Sequence, residues 1–372
     1  MTTTFPAIPY LEWIVGRASA ATYDLATSDL RYDRADEHVV PPRLAALSDP
    51  DEPSLTSQLA SRYDVHESHV LVTAGATHAN FLAACALLDR ETPPTEDDEP
   101  SPKPQVLIEK PGYQPLAATP EALGARVDRF LRPEETDYRL DPQRIGNAAT
   151  DDFAYAVVTN RHNPTGRLES RETLSETAGV VADAGGHLLV DEVYAPYLSD
   201  PMNGPFGGPT AAGLPNAVVS GSLTKLYGLG HLRIGWLVGP ESVIERARTA
   251  SMHMPSVAGP SSLLARRALH HGDELEAVAR GRVAENTRLL TDFIESRPAL
   301  EGFLPEDCPF AFLQHESMDG TEISDAAWDE SILVVPGRFF DYPEKFRLSL
   351  GGDPDAMAEA LDVFGSVLDS ST

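Results

Sequence analysis

The sequence predicts an α/β protein in which a mixed, mostly parallel sheet is sandwiched by helices and followed by a smaller α+β lobe. Between residues 68 and 240, short β-rich runs alternate with helical patterns, as in sheets whose parallel strands are joined by crossover helices. After residue 260, long helical patterns precede short strands and a last helix, which indicates the second lobe. The 42% of hydrophobic residues among 372 can fill such a core.

Individual elements follow from the hydrophobic periodicity and from the turn residues between the runs. Seven strands are predicted for the main sheet, at residues 70–73, 105–109, 126–131, 154–159, 187–193, 217–222 and 234–239. Helices between them are predicted near residues 77–89, 113–123 and 171–184. The second lobe is predicted to contain helices at 263–270, 275–296 and 354–368 and strands at 310–314, 333–336 and 346–350.

This pattern divides the chain into a large domain over residues 41–260 and a small C-terminal domain over residues 261–372. Residues 1–40 have little periodicity and are expected to form an arm and part of the small domain. Residues 92–104 combine prolines with an acidic run, which blocks regular structure and predicts a solvated loop. We assign that loop no function.

The charge balance excludes some classes of partner. Asp and Glu total 57 against 29 Lys and Arg, a formal net charge of −28. Such a surface repels polyanions, so neither nucleic acid nor an anionic membrane is an expected partner. Only four of the basic residues are lysines. An acidic, lysine-poor surface is typical of proteins in a salt-rich cytoplasm, and we hypothesise a halophilic protein.

The cysteines and the N-terminus predict a soluble, cytoplasmic protein. Cys85 and Cys308 are too few for a disulfide framework, and Cys85 lies in an apolar run where a buried free thiol is expected. The first thirty residues lack the order of basic, apolar and small residues that marks a secretory signal. No apolar run approaches the roughly 20 residues needed to cross a bilayer. No metal site is predicted.

Lys225 stands in the most informative stretch, residues 220–236, just after a predicted strand and among glycines and hydroxyl side chains. A surface lysine needs no such surroundings. A lysine that forms an imine, by contrast, must be held and partly desolvated, so that its amine loses its proton near neutral pH. Lys225 is therefore a candidate nucleophile, and this stretch alone leaves an ordinary surface lysine as the alternative.

Three other stretches place polar residues at the ends of predicted strands. Residues 72–80 join a strand to a helix through small residues, so that backbone N–H groups and the Thr77 hydroxyl can meet a phosphate. A simple helix cap is the alternative there. Residues 160–166 follow a buried strand, where α/β sheets place ligand-binding loops, although a plain turn uses the same residue types. Asp191 ends an apolar strand, where a buried carboxylate needs a cation or a hydrogen-bond donor.

In their order and spacing, these stretches resemble the motifs of fold-type I pyridoxal-phosphate enzymes of the class I/II aminotransferase superfamily, over about residues 68–351. The resemblance implies a homodimer with pyridoxal 5′-phosphate as its cofactor. It implies that Lys225 holds the cofactor as a Schiff base and that Asp191 pairs with the pyridinium nitrogen. Asn163 and Tyr194 would donate hydrogen bonds to the phenolic oxygen.

The same resemblance assigns the remaining site residues. The phosphate would be held by five residues, Gly75, Ala76, Thr77, Ser222 and Arg233. Tyr113 would stack on the cofactor ring. Arg347 and Asn163 would bind the substrate, with Arg347 holding its α-carboxylate. Arg338 is a weaker candidate for a second substrate carboxylate. His78, on the helix after the phosphate turn, is expected to pack or cap.

The activity so implied is an aminotransferase that moves an amino group between an amino acid and a 2-oxo acid by a ping-pong mechanism, with Lys225, Asp191 and Tyr194 as catalytic residues. A pyridoxal-phosphate-dependent decarboxylase or β-elimination lyase is the alternative, because the same residues serve those reactions. Two segments depart from the family pattern. Residues 49–59 lack its glycine-containing turn and Leu-Arg, and residues 338–341 replace its small residue and Phe-Gly.

Overall fold

The computed structural model describes residues 9–14, 17–28, 53–89, 102–198, 204–253 and 257–369. Most of the predicted acidic loop and residues 49–52 of the divergent segment lie outside these ranges. Within them the strands are β1 (Tyr23–Asp24), β2 (Val70–Thr73), β3 (Gln105–Lys110), β4 (Arg126–Leu131), β5 (Phe153–Thr159), β6 (His187–Asp191), β7 (Ala217–Ser222), β8 (Gly235–Val238), β9 (Leu300–Phe303), β10 (Phe310–His315), β11 (Ile332–Leu333), β12 (Val335–Pro336) and β13 (Lys345–Ser349).

The helices of the described residues cover both faces of the main sheet and one side of the second lobe. They are α1 (Pro9–Ile14), α2 (Arg17–Ala20), α3 (Leu55–Tyr63), α4 (Ala76–Leu88), α5 (Gln114–Ala122), α6 (Pro142–Ala148), α7 (Arg171–Asp183), α8 (Glu241–Ser251), α9 (Gly259–His270), α10 (Gly272–Glu295), α11 (Gly320–Asp329) and α12 (Pro354–Asp369). None of these helices is both long and apolar enough to span a membrane.

The main sheet has seven strands in the order β2-β8-β7-β6-β5-β3-β4. The five strands from β4 to β7 run parallel, and β8 is antiparallel to both of its neighbours. The predicted α/β fold with a mixed, mostly parallel sheet is confirmed. In this register Thr159 lies beside Asp191, and Asp191 lies beside Ser220. Thr159 and Asp191, which end neighbouring parallel strands, therefore lie side by side, with Ser220 of β7 next to them.

Helices bury this sheet on both faces, as parallel strands with crossover connections require. One apolar cluster joins α4, α5 and α8 to the sheet, and a second joins α3, α6 and α7 to its other face. Every residue of β5 is buried. Strand β5 is consequently a continuous buried run that ends in the polar residue Thr159.

The second lobe is built on an antiparallel sheet in the order β12-β13-β10-β9, against which α10, α11 and α12 pack. Strand β1 pairs with β11 in parallel, so the N-terminal part of the chain joins this lobe. The single strand predicted at 333–336 is wrong. Its two halves pair with different partners, β11 with β1 and β12 with β13, and Val334 separates them.

Two smaller expectations also need correction. The strand predicted to continue to residue 193 ends at Asp191, because the Asp191 side chain accepts a hydrogen bond from the Val193 backbone and turns the chain. Cys85, expected to be buried, is half-buried on α4, and both it and Cys308 are free thiols.

Candidate active site

A cavity of about 260 Å³ opens at the polar edge of the main sheet. Ten of the predicted site residues line it, namely Ala76, Thr77, Tyr113, Asn163, Asp191, Tyr194, Ser222, Lys225, Arg233 and Arg347. Gly75 does not line the cavity itself but packs against the side chain of Arg233, which does. The structure thus brings together side chains from six separate stretches of the sequence, around residues 76–77, 113, 163, 191–194, 222–233 and 347.

Asp191 is buried at the end of β6, with 5% of its surface exposed. Its Oδ2 accepts a hydrogen bond of 2.8 Å from Nδ2 of Asn80, and its Oδ1 accepts one of 3.2 Å from the backbone N–H of Val193. Burial raises the pKa of Asp191, while these two bonds and the charge of Lys225 oppose the rise. The carboxylate required a partner, and the structure supplies Asn80.

Lys225 follows β7 in a tight turn, in which the Ser222 hydroxyl accepts a hydrogen bond of 3.2 Å from the Thr224 backbone. Two residues later, the buried Tyr227 donates a 2.5 Å hydrogen bond to Glu276 of α10 and anchors the turn to the helix. Nζ of Lys225 lies 5.8 Å from the centre of the Tyr194 ring. The lysine is therefore presented to the cavity by backbone that is fixed on both sides.

Arg347 lies on β13, with only 2% of its surface exposed. It donates from Nη1 to the Asn163 side chain (2.6 Å) and from Nη2 to the Ala26 carbonyl (3.0 Å). Its guanidinium is also flanked by the rings of Phe310 and Phe340 at 5.2 and 5.3 Å. Nε has no hydrogen-bond partner among the described residues, so the group keeps unused donors for a planar anion.

A buried chain of hydrogen bonds supports Asn163 from behind. Its backbone N–H donates to the Thr159 hydroxyl at 3.0 Å, and that hydroxyl donates to Glu109 at 2.5 Å. Arg132 neutralises the other oxygen of Glu109 at 2.8 Å. The loop predicted to bind a ligand is consequently held by a buried ion pair of the main sheet.

The N-terminus of α4 and Arg233 form an anion-binding cradle. Gly75 has φ of +85°, and a Cβ placed there would lie 2.5 Å from Nη2 of Arg233. The backbone of Arg233 is also in the left-handed region, with φ of +51°, and its Nη2 donates a hydrogen bond of 3.1 Å to the Ala74 carbonyl. Unpaired N–H groups of the first helical turn and the guanidinium together favour a dianion such as a phosphate ester. Glycine is required at residue 75 because both the conformation and the space exclude a side chain.

Several cavity residues were missed by the sequence analysis: Tyr10, Thr27, Ser28, Asn80, Thr159, Val193 and Thr224. Tyr10 of α1 packs edge-on against Tyr113 at 5.5 Å, and its backbone N–H donates to Gln114. The Ser28 hydroxyl lies 3.0 Å from the hydroxyl of Tyr194. The N-terminal part of the chain therefore closes one side of the cavity.

Arg338, the weaker candidate, and His78, expected to pack or cap, do not line the cavity. Arg338 is exposed and donates to the Thr321 hydroxyl at 3.0 Å, and it does not line the cavity. His78 accepts a hydrogen bond of 3.1 Å from the Ala74 backbone through Nδ1, and burial lowers its pKa. The neutral ring therefore braces the turn before α4.

Residues 24–364 match the family described as aminotransferase class I and II, and the chain belongs to that family. An aspartate aminotransferase of Streptomyces avermitilis is 26% identical over 319 residues, which are 79% of this chain and 73% of the relative. Capreomycidine synthase of Streptomyces vinaceus is 26% identical over 368 residues, 92% of this chain and 89% of the relative. A solved pyridoxal-phosphate-dependent aminotransferase of Streptococcus suis has a TM-score of 0.82 at 22% identity and covers 99% of this chain and 98% of that chain.

Family membership confirms the predicted enzyme class, a transaminase acting on an amino acid and a 2-oxo acid, and the predicted cofactor, pyridoxal 5′-phosphate. The residues present also fit that cofactor on structural grounds. The cradle at Gly75 and Arg233 suits its phosphate, the buried carboxylate of Asp191 suits a protonated ring nitrogen, and Lys225 faces the same cavity.

Proposed function

We propose that the protein transfers an amino group from an amino acid to a 2-oxo acid by a ping-pong mechanism, with Lys225 as both the attachment point of the cofactor and the base. The observation that carries this proposal is one cavity lined by Lys225, Asp191 and Arg347. These residues provide an amine, a buried acid and a carboxylate-binding cation around a single space.

Pyridoxal phosphate, when bound, supplies a conjugated ring that accepts the electron pair released at the substrate Cα. Thr77, Ser222 and Arg233 would hold its phosphate. Asp191 would keep a proton on the ring nitrogen through charge pairing, and Asn163 and Tyr194 would donate to the phenolic oxygen. Tyr113 would cover one face of the ring.

The chain's own residues then determine which bond breaks. Arg347 binds the α-carboxylate with two parallel hydrogen bonds and thereby fixes the orientation of Cα. Nζ of Lys225 removes the Cα proton, for which it must be neutral. Tyr194, which the Ser28 hydroxyl meets at 3.0 Å, is held beside that amine.

A lyase reaction on the same residues is the second candidate. A relative whose name is not that of an aminotransferase, capreomycidine synthase, aligns over 92% of this chain. The two reactions share Lys225, Asp191 and the phosphate cradle. They differ in whether the amino group stays with the protein or leaves as ammonia.

The test is a donor screen with the purified protein and pyridoxal phosphate, in which amino acids are offered with and without 2-oxoglutarate or pyruvate. Transamination predicts stoichiometric 2-oxo acid without ammonia or carbon dioxide, and continued turnover only when an oxo acid is added. Lys225→Ala should abolish turnover, and the exposed Lys103→Ala serves as the matched control. Ammonia release without an acceptor would replace the proposal with elimination, and carbon dioxide release would replace it with decarboxylation.

We propose further that residues 41–260 and 261–372 are the large and small domains, with residues 1–40 as an arm. The pairing of β1 with β11 supports an N-terminal contribution to the small domain. We also propose that the protein is cytoplasmic, since free thiols at Cys85 and Cys308 fit a reducing compartment. The homodimer is proposed because the family resemblance implies it. Light scattering of the holoenzyme tests the dimer, and a monomer of full activity would contradict it.

The halophilic character remains our proposal, supported by the net charge of −28 and the four lysines. It predicts that activity and melting temperature rise with potassium chloride concentration. Full activity and an unchanged melting temperature at low salt would contradict it.

A further inference from the structure

Asn80 is one of the cavity residues for which neither the motif nor the family resemblance gave a role. It lies on α4, three and four residues after Thr77 and Ala76, and this spacing places all three on one helix face. All three line the cavity. Asn80 therefore lies one helical turn beyond the anion-binding cradle, and its side chain contacts Asp191 at the other end of the cavity.

The contact between Asn80 and Asp191 has a defined direction. An ionised carboxylate only accepts hydrogen bonds, so the amide must present its N–H₂ group, and Nδ2 lies 2.8 Å from Oδ2. The carbonyl oxygen of Asn80 is buried and finds no hydrogen-bond partner among the described residues. A packing position on this alanine- and leucine-rich helix would favour a leucine of the same shape, which leaves no polar atom unpaired.

The surroundings of Asp191 explain why a donor matters there. Burial disfavours its ionised form, and the neighbouring Glu192 is a second buried carboxyl group that would repel it if both were charged. Lys225 is the cation that faces it, and the Val193 N–H is the other donor. Of these stabilising groups, Lys225 is also the proposed base and must be neutral when it acts. Asn80 and Val193 are the contributions that do not change during the reaction.

We propose that Asn80 is a positioning residue for Asp191, which keeps that carboxylate ionised and oriented so that the ring nitrogen of pyridoxal phosphate holds its proton. The inference rests on the proposed function. Loss of the Asn80 donor should therefore lower kcat, because the ring nitrogen would hold its proton less well. KM should change little, because Arg347 and the phosphate cradle would still bind the substrate and the cofactor. A hydrogen bond to a charged group corresponds to roughly tenfold to a hundredfold in rate.

Two substitutions separate the donor from the shape of the side chain. Asn80→Leu keeps the branched outline and removes the donor. Asn80→His places Nδ1 at the same number of bonds from Cβ as Nδ2 of asparagine and can donate again. Cys85→Ala, half-buried on the same helix but outside the cavity, is the matched control. Asn80→Ala is a second loss variant in case leucine packs poorly.

The readout is the ¹⁵N NMR signal of the ring nitrogen in holoenzyme reconstituted with ring-¹⁵N pyridoxal phosphate, which reports protonation independently of turnover. We expect a protonated signal in the wild type. In Asn80→Leu we expect a shift toward the neutral form, a protonation midpoint at lower pH and a kcat reduced about tenfold to a hundredfold at nearly constant KM. Asn80→His should restore the signal.

The inference is overturned if Asn80→Leu and Asn80→Ala keep the wild-type signal, or if Cys85→Ala shifts it equally, which would show a general effect on the helix. Failure of the proposed function has a different appearance. In that case the wild type itself would bind no labelled cofactor, whereas a wild type that binds it protonated leaves only the role of Asn80 in question.

Discussion

Replacing Arg347 by lysine tests the substrate side of the site. Lysine keeps the positive charge but loses the planar pair of donors that can bind a carboxylate twice. Alanine would be a poorer probe, because the Asn163 side chain and the Ala26 carbonyl would lose their donors inside the protein. Each such buried orphan costs about 1–3 kcal/mol, so loss of stability would obscure loss of binding.

The magnitude follows from the hydrogen bonds that Arg347 can still make. Two of its five N–H donors are used by Asn163 and Ala26, which leaves three for a substrate, including the unpaired Nε. If lysine keeps one of two bonds to the carboxylate, the loss is one charge-assisted bond of about 1.5–3 kcal/mol. We therefore expect kcat/KM to fall about tenfold to a hundredfold, mostly through KM, because the carboxylate is bound before and during the chemical step.

The assay is steady-state kinetics with the best donor found in the screen, together with thermal denaturation to show that the variant is folded. Arg338→Lys is the matched control, because Arg338 is exposed and bonds to Thr321 instead. A kcat/KM for Arg347→Lys within twofold of the wild type would refute the assignment. An equal loss in Arg338→Lys would refute it as well.

Three further predictions address the cofactor side and the core. Gly75→Ala should weaken pyridoxal phosphate binding in a fluorescence titration, because the new Cβ would meet Arg233. Gly185→Ala is the control and should keep the wild-type affinity, because Gly185 has a similar φ of +79° but open space around it. Equal affinities of the two variants would contradict the role of Gly75 in the anion-binding cradle. Asp191→Asn should lower turnover by orders of magnitude with an unchanged circular dichroism spectrum, and near-normal turnover would remove its role. Burial and the charge of Asp191 raise the pKa of Glu192 to about 8, so its neutral form stabilises the fold at low pH and this contribution is lost as pH rises from about 4.5 through 8. Glu192→Gln should therefore gain melting temperature relative to the wild type between pH 5 and pH 8, and a constant difference would contradict this.

Residues at the ends of strands were predictable from the sequence because their position is itself the signal. Asp191 ends an apolar strand and Lys225 stands three residues after the end of the next strand, so both must lie at the carboxyl ends of the sheet strands. The register of the parallel strands, which the structure supplies, then places Thr159, Asp191 and Ser220 side by side. The chemistry of the site followed from this arrangement and from the family resemblance.

Other residues of the site depend on contacts between distant parts of the chain. Ser28 meets Tyr194 across 166 positions, and Tyr10 reaches Tyr113 and Gln114 from a segment with little periodicity. Nothing local in the sequence selects these partners. Asn80 differs, since its spacing from Thr77 on one predicted helix would have placed it toward the phosphate turn.

The division of residues 333–336 into two strands also depends on contacts that the local sequence does not determine. The run is apolar throughout and reads as one strand, but its first half pairs with β1 near the N-terminus and its second half with β13. Arg338 was a candidate because of its position after Pro336-Gly337, and the short helix that follows turns it toward Thr321 instead. Both outcomes depend on tertiary pairing.

The central claim is that Lys225 is the side chain that binds pyridoxal phosphate covalently. The most direct measurement is borohydride reduction of the reconstituted protein, followed by peptide mapping by mass spectrometry. We predict one stable phosphopyridoxyl group, on the peptide that contains Lys225, and none on peptides that contain Lys103, Lys110 or Lys345. A protein that stays unmodified, or one that carries the group on another lysine, would contradict the account.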